Sequence, residues 1–119
     1  MVKIKRIYED PDPADGRRFL VDRLWPRGLS KDRACLERWL KEIAPSDELR
    51  RWFGHDPARW QEFRTRYRRE LEAQGPLLDE LLSLARKESI TLLYAARDEE
   101  HNNAAVLREL LAQYDREHG

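Results

Sequence analysis

Asp22, Arg23, Trp25, Arg27 and Lys31 fall close together around a Pro26–Gly28 turn. Residues of these types can hold an anion. Arginine forks take carboxylates and phosphates bidentately and lysine adds a point charge. Trp25 can stack on a base, a sugar or a neighbouring guanidinium. The wider stretch Arg17–Lys31 carries five cations against one acid, Asp22. A structural reading is equally open, with Asp22 paired to Arg23 and Trp25 in the core.

A second group spans Tyr94, Arg97, Asp98, Glu99, Glu100, His101, Asn102 and Asn103. Tyr94 offers a stacking surface, and Arg97 and Asn102 offer ligand contacts. His101 offers acid–base chemistry, because imidazole titrates near pH 6.5 (about the unperturbed value). The competing reading is a helix start that its own acids cap. His55 beside Asp56 is a third set. A histidine next to a carboxylate can act as a base, but Asp56 before Pro57 also reads as a helix N-cap. His55, His101 and Asp22 are therefore the candidate proton-transfer groups. Cys35 lies one helical turn before Trp39, with nothing local to supply a base or lower its pKa, and reads as a buried structural thiol.

Metal binding is not expected. His55, His101 and His118 show no paired ligand spacing, and one cysteine makes no thiolate site. No phosphate-cradling glycine loop, dinucleotide fingerprint or nucleophile elbow is present, so no cofactor is expected.

These residues need elements to position them. Val2 to Tyr8 alternates and reads as a strand with one wet face. Residues 9–16, with two prolines and three aspartates, read as a loop. A second strand is expected over Arg18–Trp25, ending at Pro26. The loop is short for a parallel crossover, so a compact parallel return and an antiparallel pair both stay open. Leu36, Trp39, Leu40 and Ile43 have helical spacing, which predicts a helix from Asp32 to Ala44. Ser46 and Gly54 bracket a short helix over Asp47–Phe53. Trp60, Phe63, Tyr67 and Leu71 mark a longer helix whose outer face carries Arg59, Arg64, Arg66, Arg68 and Arg69. A leucine-rich helix over Leu77–Lys87 follows. Ile90–Ala96 is an uninterrupted apolar run, expected as a fully buried strand, and Asp98 is expected to open the last helix. The architecture is an α/β fold, a small sheet of about three strands, at least partly parallel, with helices packed over it. If the strands at 18–25 and 90–96 are parallel neighbours, their carboxyl ends meet where ligands of open α/β sheets bind.

The bulk properties restrict the function. The 119 residues carry 40% apolar and 39% charged residues, 23 cations against 23 acids. One domain over 1–119 is expected. A globally basic nucleic-acid binder is not indicated, although the arginine face at 59–69 could track a phosphate backbone. The single cysteine excludes an internal disulfide framework and fits a reducing cytosol. Neither a membrane span nor a leader is read, so a cytoplasmic chain is expected.

Three segments carry a resemblance: Leu-Val-Asp-Arg-Leu-Trp-Pro-Arg-Gly at 20–28, Ala-Pro-Ser-x-x-Leu-Arg-x-Trp-Phe-x-His-Asp-Pro at 44–57, and Leu-Leu-Tyr-Ala-Ala-Arg-Asp at 92–98 with His101-Asn102. Together they resemble the YeaO-like family of small bacterial proteins, within domain-of-unknown-function group 488. The resemblance covers essentially the whole chain. It implies a compact α/β cytoplasmic domain and no particular activity. In the wider group the last turn reads as an acidic dipeptide followed by Cys-His-Arg. Here His101-Asn102-Asn103 lacks the cysteine and the adjacent arginine, so chemistry at that cysteine does not carry over. The leading expectation is binding of a small anionic ligand, a nucleotide or phosphate compound, at the strand ends, with hydrolytic or transfer chemistry open. A nucleic-acid-binding or regulatory module and a protein-interaction domain are the alternatives.

Overall fold

The computed structural model describes residues 1–118, with side chains as far as Glu117. Strands β1 (Val2–Arg6), β2 (Arg17–Leu20), β3 (Arg38–Trp39) and β4 (Ile90–Tyr94) form one sheet in the order β1-β4-β2-β3. All its pairings are parallel. Among the described residues there are four strands, close to the three or so expected, the addition being a two-residue strand beyond β2. The helices are α1 (Lys31–Ala34), α2 (Asp47–Phe53), α3 (Trp60–Glu72), α4 (Gly75–Lys87) and α5 (Asn103–His118).

β4 is buried at every position, as its unbroken apolar run requires when both edges are paired and both faces covered. Val2 pairs with Ile90 and Arg6 with Tyr94 on one side. Arg17 pairs with Ile90 and Leu20 with Leu93 on the other. The crossover left open by the sequence is thus a parallel one. β1 and β2 are not neighbours, and residues 7–16 carry the chain past β4. An extended chain covers up to about 3.5 Å per residue, which is enough to run back the length of a five-residue strand. The lysines of β1 tie this return in place. Lys3 Nζ donates to the Ala14 carbonyl at 2.6 Å and Lys5 Nζ to that of Asp10 at 2.7 Å. What reads as a wet face is therefore an anchoring face.

Asp15 closes the crossover. It sits in a 3₁₀ turn, Pro13–Asp15, that Asp12 caps reciprocally. Its carboxylate accepts from Arg18 Nη1 at 2.6 Å, Lys5 Nζ at 3.2 Å and the Asp12 N–H at 3.0 Å. Asp15 and Arg18 are each only 5% exposed. Burial pushes the Asp15 carboxyl up, but the Asp12 N–H and the two cations outweigh it and hold the group below its ordinary value.

Three expected boundaries shift. β2 ends at Leu20, and Leu24 is 56% exposed. The helix expected over 32–44 is a four-residue α1 capped by Ser30, then β3, then a 3₁₀ turn over Lys41–Ile43. Cys35 stops α1 in a left-handed conformation, φ 50°. Beyond it, tertiary bonds override the helical spacing: Glu37 N–H donates to the Arg18 carbonyl and Leu40 N–H to that of Leu20, both at 2.8 Å. The last helix opens at Asn103 rather than Asp98. The Asn102 side chain accepts from the Ala105 N–H at 2.9 Å, and Asp98 instead caps a preceding turn.

Replacing Asp15 with Asn leaves the Arg18 guanidinium buried without a counter-charge. A loss of about 3 kcal/mol is expected by urea unfolding. A carboxyl with a depressed folded pKa stabilises fully above its unfolded value and less as pH falls through the folded one. The wild-type protein should therefore lose stability on acidification below the ordinary carboxylate value of 3.8, and D15N should lose less over that window.

Candidate functional site

The turns that leave β2 and β4 meet at the carboxyl edge of the sheet. Between them and α2 lies a pocket of about 740 Å³. Asp22, Arg23, Trp25 and Arg27 line it from the first turn, and Arg97, His101 and Asn102 from the second. Arg50 and His55 close it from α2 and the bend after it. The sets separated in sequence are thus one wall each of a single cleft. Lys31 lies outside it, exposed at the start of α1. Tyr94 lies outside it too, 2% exposed in the core, where burial pushes its phenol up.

Asp22 joins the two turns. Its Oδ2 accepts from the Ala95 N–H at 2.9 Å and its Oδ1 from Asn103 Nδ2 at 3.1 Å. The same Asn103 amide reaches the Val21 carbonyl at 2.8 Å. Asp22 therefore does not pair with Arg23. Burial raises its pKa above the ordinary value, and the Ala95 N–H, the Asn103 amide, His55 and Arg50 oppose that rise incompletely. Tyr67 is fully buried in the core and donates to the Ile43 carbonyl at 2.8 Å; charges at Asp22 and Glu70 add to the burial that pushes its phenol up.

Arg23 is occupied by backbone. Its Nε donates to the Pro45 carbonyl at 3.0 Å and its Nη2 to that of Ala44 at 3.3 Å. Arg6, which the sequence gives no role, clamps the opposite turn through Ala96 at 2.9 Å and Ala95 at 3.3 Å. Trp25 donates to the Leu29 carbonyl at 2.6 Å and meets Trp39 edge-on at 5.3 Å, so only part of its ring faces the cleft. The Arg27 and Arg97 side chains stand exposed at the rim. Asn102 is 2% exposed and spends its side chain on the Asp98 carbonyl and the Ala105 N–H.

His101 is presented more directly. Its Nδ1 lies 2.9 Å from Asp98 Oδ2, and its ring meets Trp60 edge-on at 5.1 Å. The His101 and Glu100 N–H groups and the His101 ring hold Asp98 down to about 2. An ionised Asp98 favours the proton on Nδ1 and leaves Nε2 for a ligand. His55 adopts φ 57° directly after Gly54 at φ 54°, which turns its ring toward Phe53 at 6.1 Å. Asp56 caps the turn that leads into α3 by accepting from the Ala58 N–H at 3.0 Å.

Other features lie away from the cleft. Cys35, expected to be buried, is exposed, because it caps the end of the four-residue α1 instead of lying within a longer helix. The α3 arginines are largely tied: Arg64 to Glu109 at 2.8 Å and Arg66 to Glu62 at 2.7 Å. Arg59 and Arg66 cover the Trp52 ring at 5.3 and 4.4 Å. Among the described residues, no three His, Cys, Asp or Glu side chains converge as a metal site, and no helix is long and apolar enough to cross a membrane.

Fold and cleft define a small α/β domain with a parallel sheet and a mixed polar and apolar pocket at its strand ends. The chain belongs to the DUF488-N3i family, described as the inactive DUF488-N3 subclade, which it matches over residues 1–119. It is 46% identical over 110 residues to the uncharacterised protein Rv3073c of Mycobacterium tuberculosis, covering 92% of each chain, and equally so to a Mycobacterium bovis protein. It is 41% identical over 110 residues to YeaO of Escherichia coli, covering 92% of this chain and 96% of YeaO. No solved structure matches it significantly.

Replacing Asp22 with Asn sets an amide NH₂ against the Ala95 N–H or the Asn103 amide. A loss of about 1–3 kcal/mol is expected. A raised carboxyl stabilises below its unfolded pKa and loses that contribution as pH rises through the folded one. Wild-type stability should therefore decline as pH climbs just above 3.8, and D22N should lack that decline. Chemical denaturation at stepped pH checks both.

Proposed function

We propose that this protein binds a small anionic molecule with an apolar or planar body, of nucleotide or phosphate-compound type, in the cleft at the carboxyl ends of β2 and β4. The observation that carries this is the meeting of two strand-end turns around one volume of about 740 Å³. Phe53, Phe63, Ala95 and Ala96 supply apolar lining, Arg27, Arg50 and Arg97 supply cationic groups, and His55 supplies an imidazole. Such a mixture suits a ligand that is apolar at one end and charged at the other. His101, oriented by Asp98, supplies a directional hydrogen bond.

The reading is one of binding without chemistry. The family is described as inactive, and Cys35, the one cysteine, stands away from the cleft. A chain that acts in the cytoplasm on a diffusible ligand fits this reading. Nucleic acid has a weaker basis in a groove of about 630 Å³ between α3 and α5. Arg68, Arg69 and Arg116 face that groove, but Glu72 and Glu109 share it. Protein docking through tryptophan has less support, because Trp52 and Trp60 are both partly buried against the core.

Thermal unfolding against nucleosides, nucleoside mono- and diphosphates and inorganic phosphate tests the proposal. A true ligand at 100 times its Kd adds about 2.7 kcal/mol, read as a rise in Tm. Charged members should act and the uncharged nucleosides should act less. A flat response across the whole panel refutes it. So does a response that persists unchanged when Arg50, Arg97 and His101 are all replaced by Ala.

A further inference from the structure

Among the described residues, one buried side-chain nitrogen or oxygen has no hydrogen-bond partner, and it is Arg50 Nε. Native proteins pair nearly all such atoms, so an exception needs a reason. Arg50 is also a lining residue of the cleft. We infer that Arg50 is the group that takes the ligand's oxyanion, through the Nε–Nη2 edge of its guanidinium. The inference rests on the binding reading given above and names the atoms that would perform it.

The neighbouring cations are less suited. The corresponding edge of Arg23 is filled by the Pro45 and Ala44 carbonyls. Arg27 and Arg97 are exposed at the rim, where water satisfies their donors. Asp22 faces Arg50 with its charge but binds Ala95 and Asn103, and it does not reach Arg50 Nε. Arg50's one ion pair is with Asp47, from Nη2 at a long 3.4 Å, on the exposed side of α2. That contact is easily exchanged. The stem is flexible while its root is fixed: Arg50 N–H donates to the Ser46 carbonyl and its own carbonyl accepts from Gly54 N–H. A turn of the head about the last side-chain bonds exchanges Asp47 for an oxyanion and gives Nε its acceptor. Two parallel N–H···O bonds from one edge fit either a phosphate or a carboxylate. Lysine offers the charge without the edge.

The experiment follows the Arg50 Nε–Hε resonance in ¹⁵N-labelled full-length protein, together with thermal shifts of wild type, R50K and R86K. The probes are inorganic phosphate, AMP, and acetate as a carboxylate control. Expected are a shift of the Arg50 Nε–Hε signal with AMP or phosphate, and weakening of the same probe by about 10- to 100-fold in R50K. R86K, at an exposed arginine paired with Asp115 away from the cleft, should keep wild-type affinity. If acetate alone moves the signal, the oxyanion is a carboxylate and the phosphate class is overturned. If AMP raises the wild-type and R50K Tm equally and leaves the Arg50 signal in place, the cleft binds but Arg50 is not the anion fork. If none of the probes moves the signal or the wild-type Tm, the assignment falls and so does the binding reading for phosphate compounds.

Discussion

Guanidinium groups bonded to backbone carbonyls hold this molecule's irregular half together. A sheet of four short parallel strands leaves many carbonyls beyond its ends with no partner on a neighbouring strand, and a buried unpaired carbonyl is costly. Arg18 takes the carbonyls of Ala34 and Cys35 at the end of α1. Arg23 takes those of Ala44 and Pro45 before α2. Arg6 takes those of Ala95 and Ala96 after β4. Each fork satisfies two acceptors at once, in a geometry that a lysine cannot copy. The cleft is the space left between two turns fixed in this way. The balanced charge of the chain is compatible with these clamps, because Arg6, Arg18 and Arg23 spend their donors on backbone carbonyls.

The parts of the fold that could be read from the sequence are those where one local signal dominates. Ile90–Tyr94 is an apolar run in a setting that buries both faces. Ser46 and Gly54 bound α2 at the residues expected, since Ser46 Oγ accepts from the Leu49 N–H and Gly54 takes a left-handed φ. The failures lie where a distant bond decides. Leu36, Trp39, Leu40 and Ile43 keep helical spacing, yet β2 pairs Arg38 and Trp39 as a strand and breaks that helix. Asp98 and Asn102 are both capping residues, and the spacing of types does not tell which one starts a helix and which ends a turn.

The candidate site was legible as a neighbourhood and less so as a set of roles. Arginine, histidine and asparagine near strand ends marked the two turns that meet. Whether each side chain points at solvent, ligand or its own backbone depends on carbonyls tens of residues away, and composition holds no trace of that. Arg23 and Arg50 make the contrast plain. The arginine in the denser cationic cluster is a clamp, and the one on a short helix keeps an unpaired Nε. A family described as inactive fits a cleft whose polar groups brace one another more than they await a reacting bond.

The placement of β4 also orders events during folding. β1 and β2 share no ladder: β1 finds its partner only in residues 90–94, and before these β2 has only the two-residue β3. On a ribosome, the first two strands are made and must wait through four helices before the strand that joins them emerges. Until then β1 is unpaired and β2 keeps one edge open, which invites wrong partners. Parallel pairing between residues as distant as Val2 and Ile90 is also intrinsically slow to close. The crossover ties from Lys3 and Lys5 to Ala14 and Asp10 are local in sequence and can form early. They would keep β1 folded back on its own loop, a temporary cover for an edge that the last strand later claims.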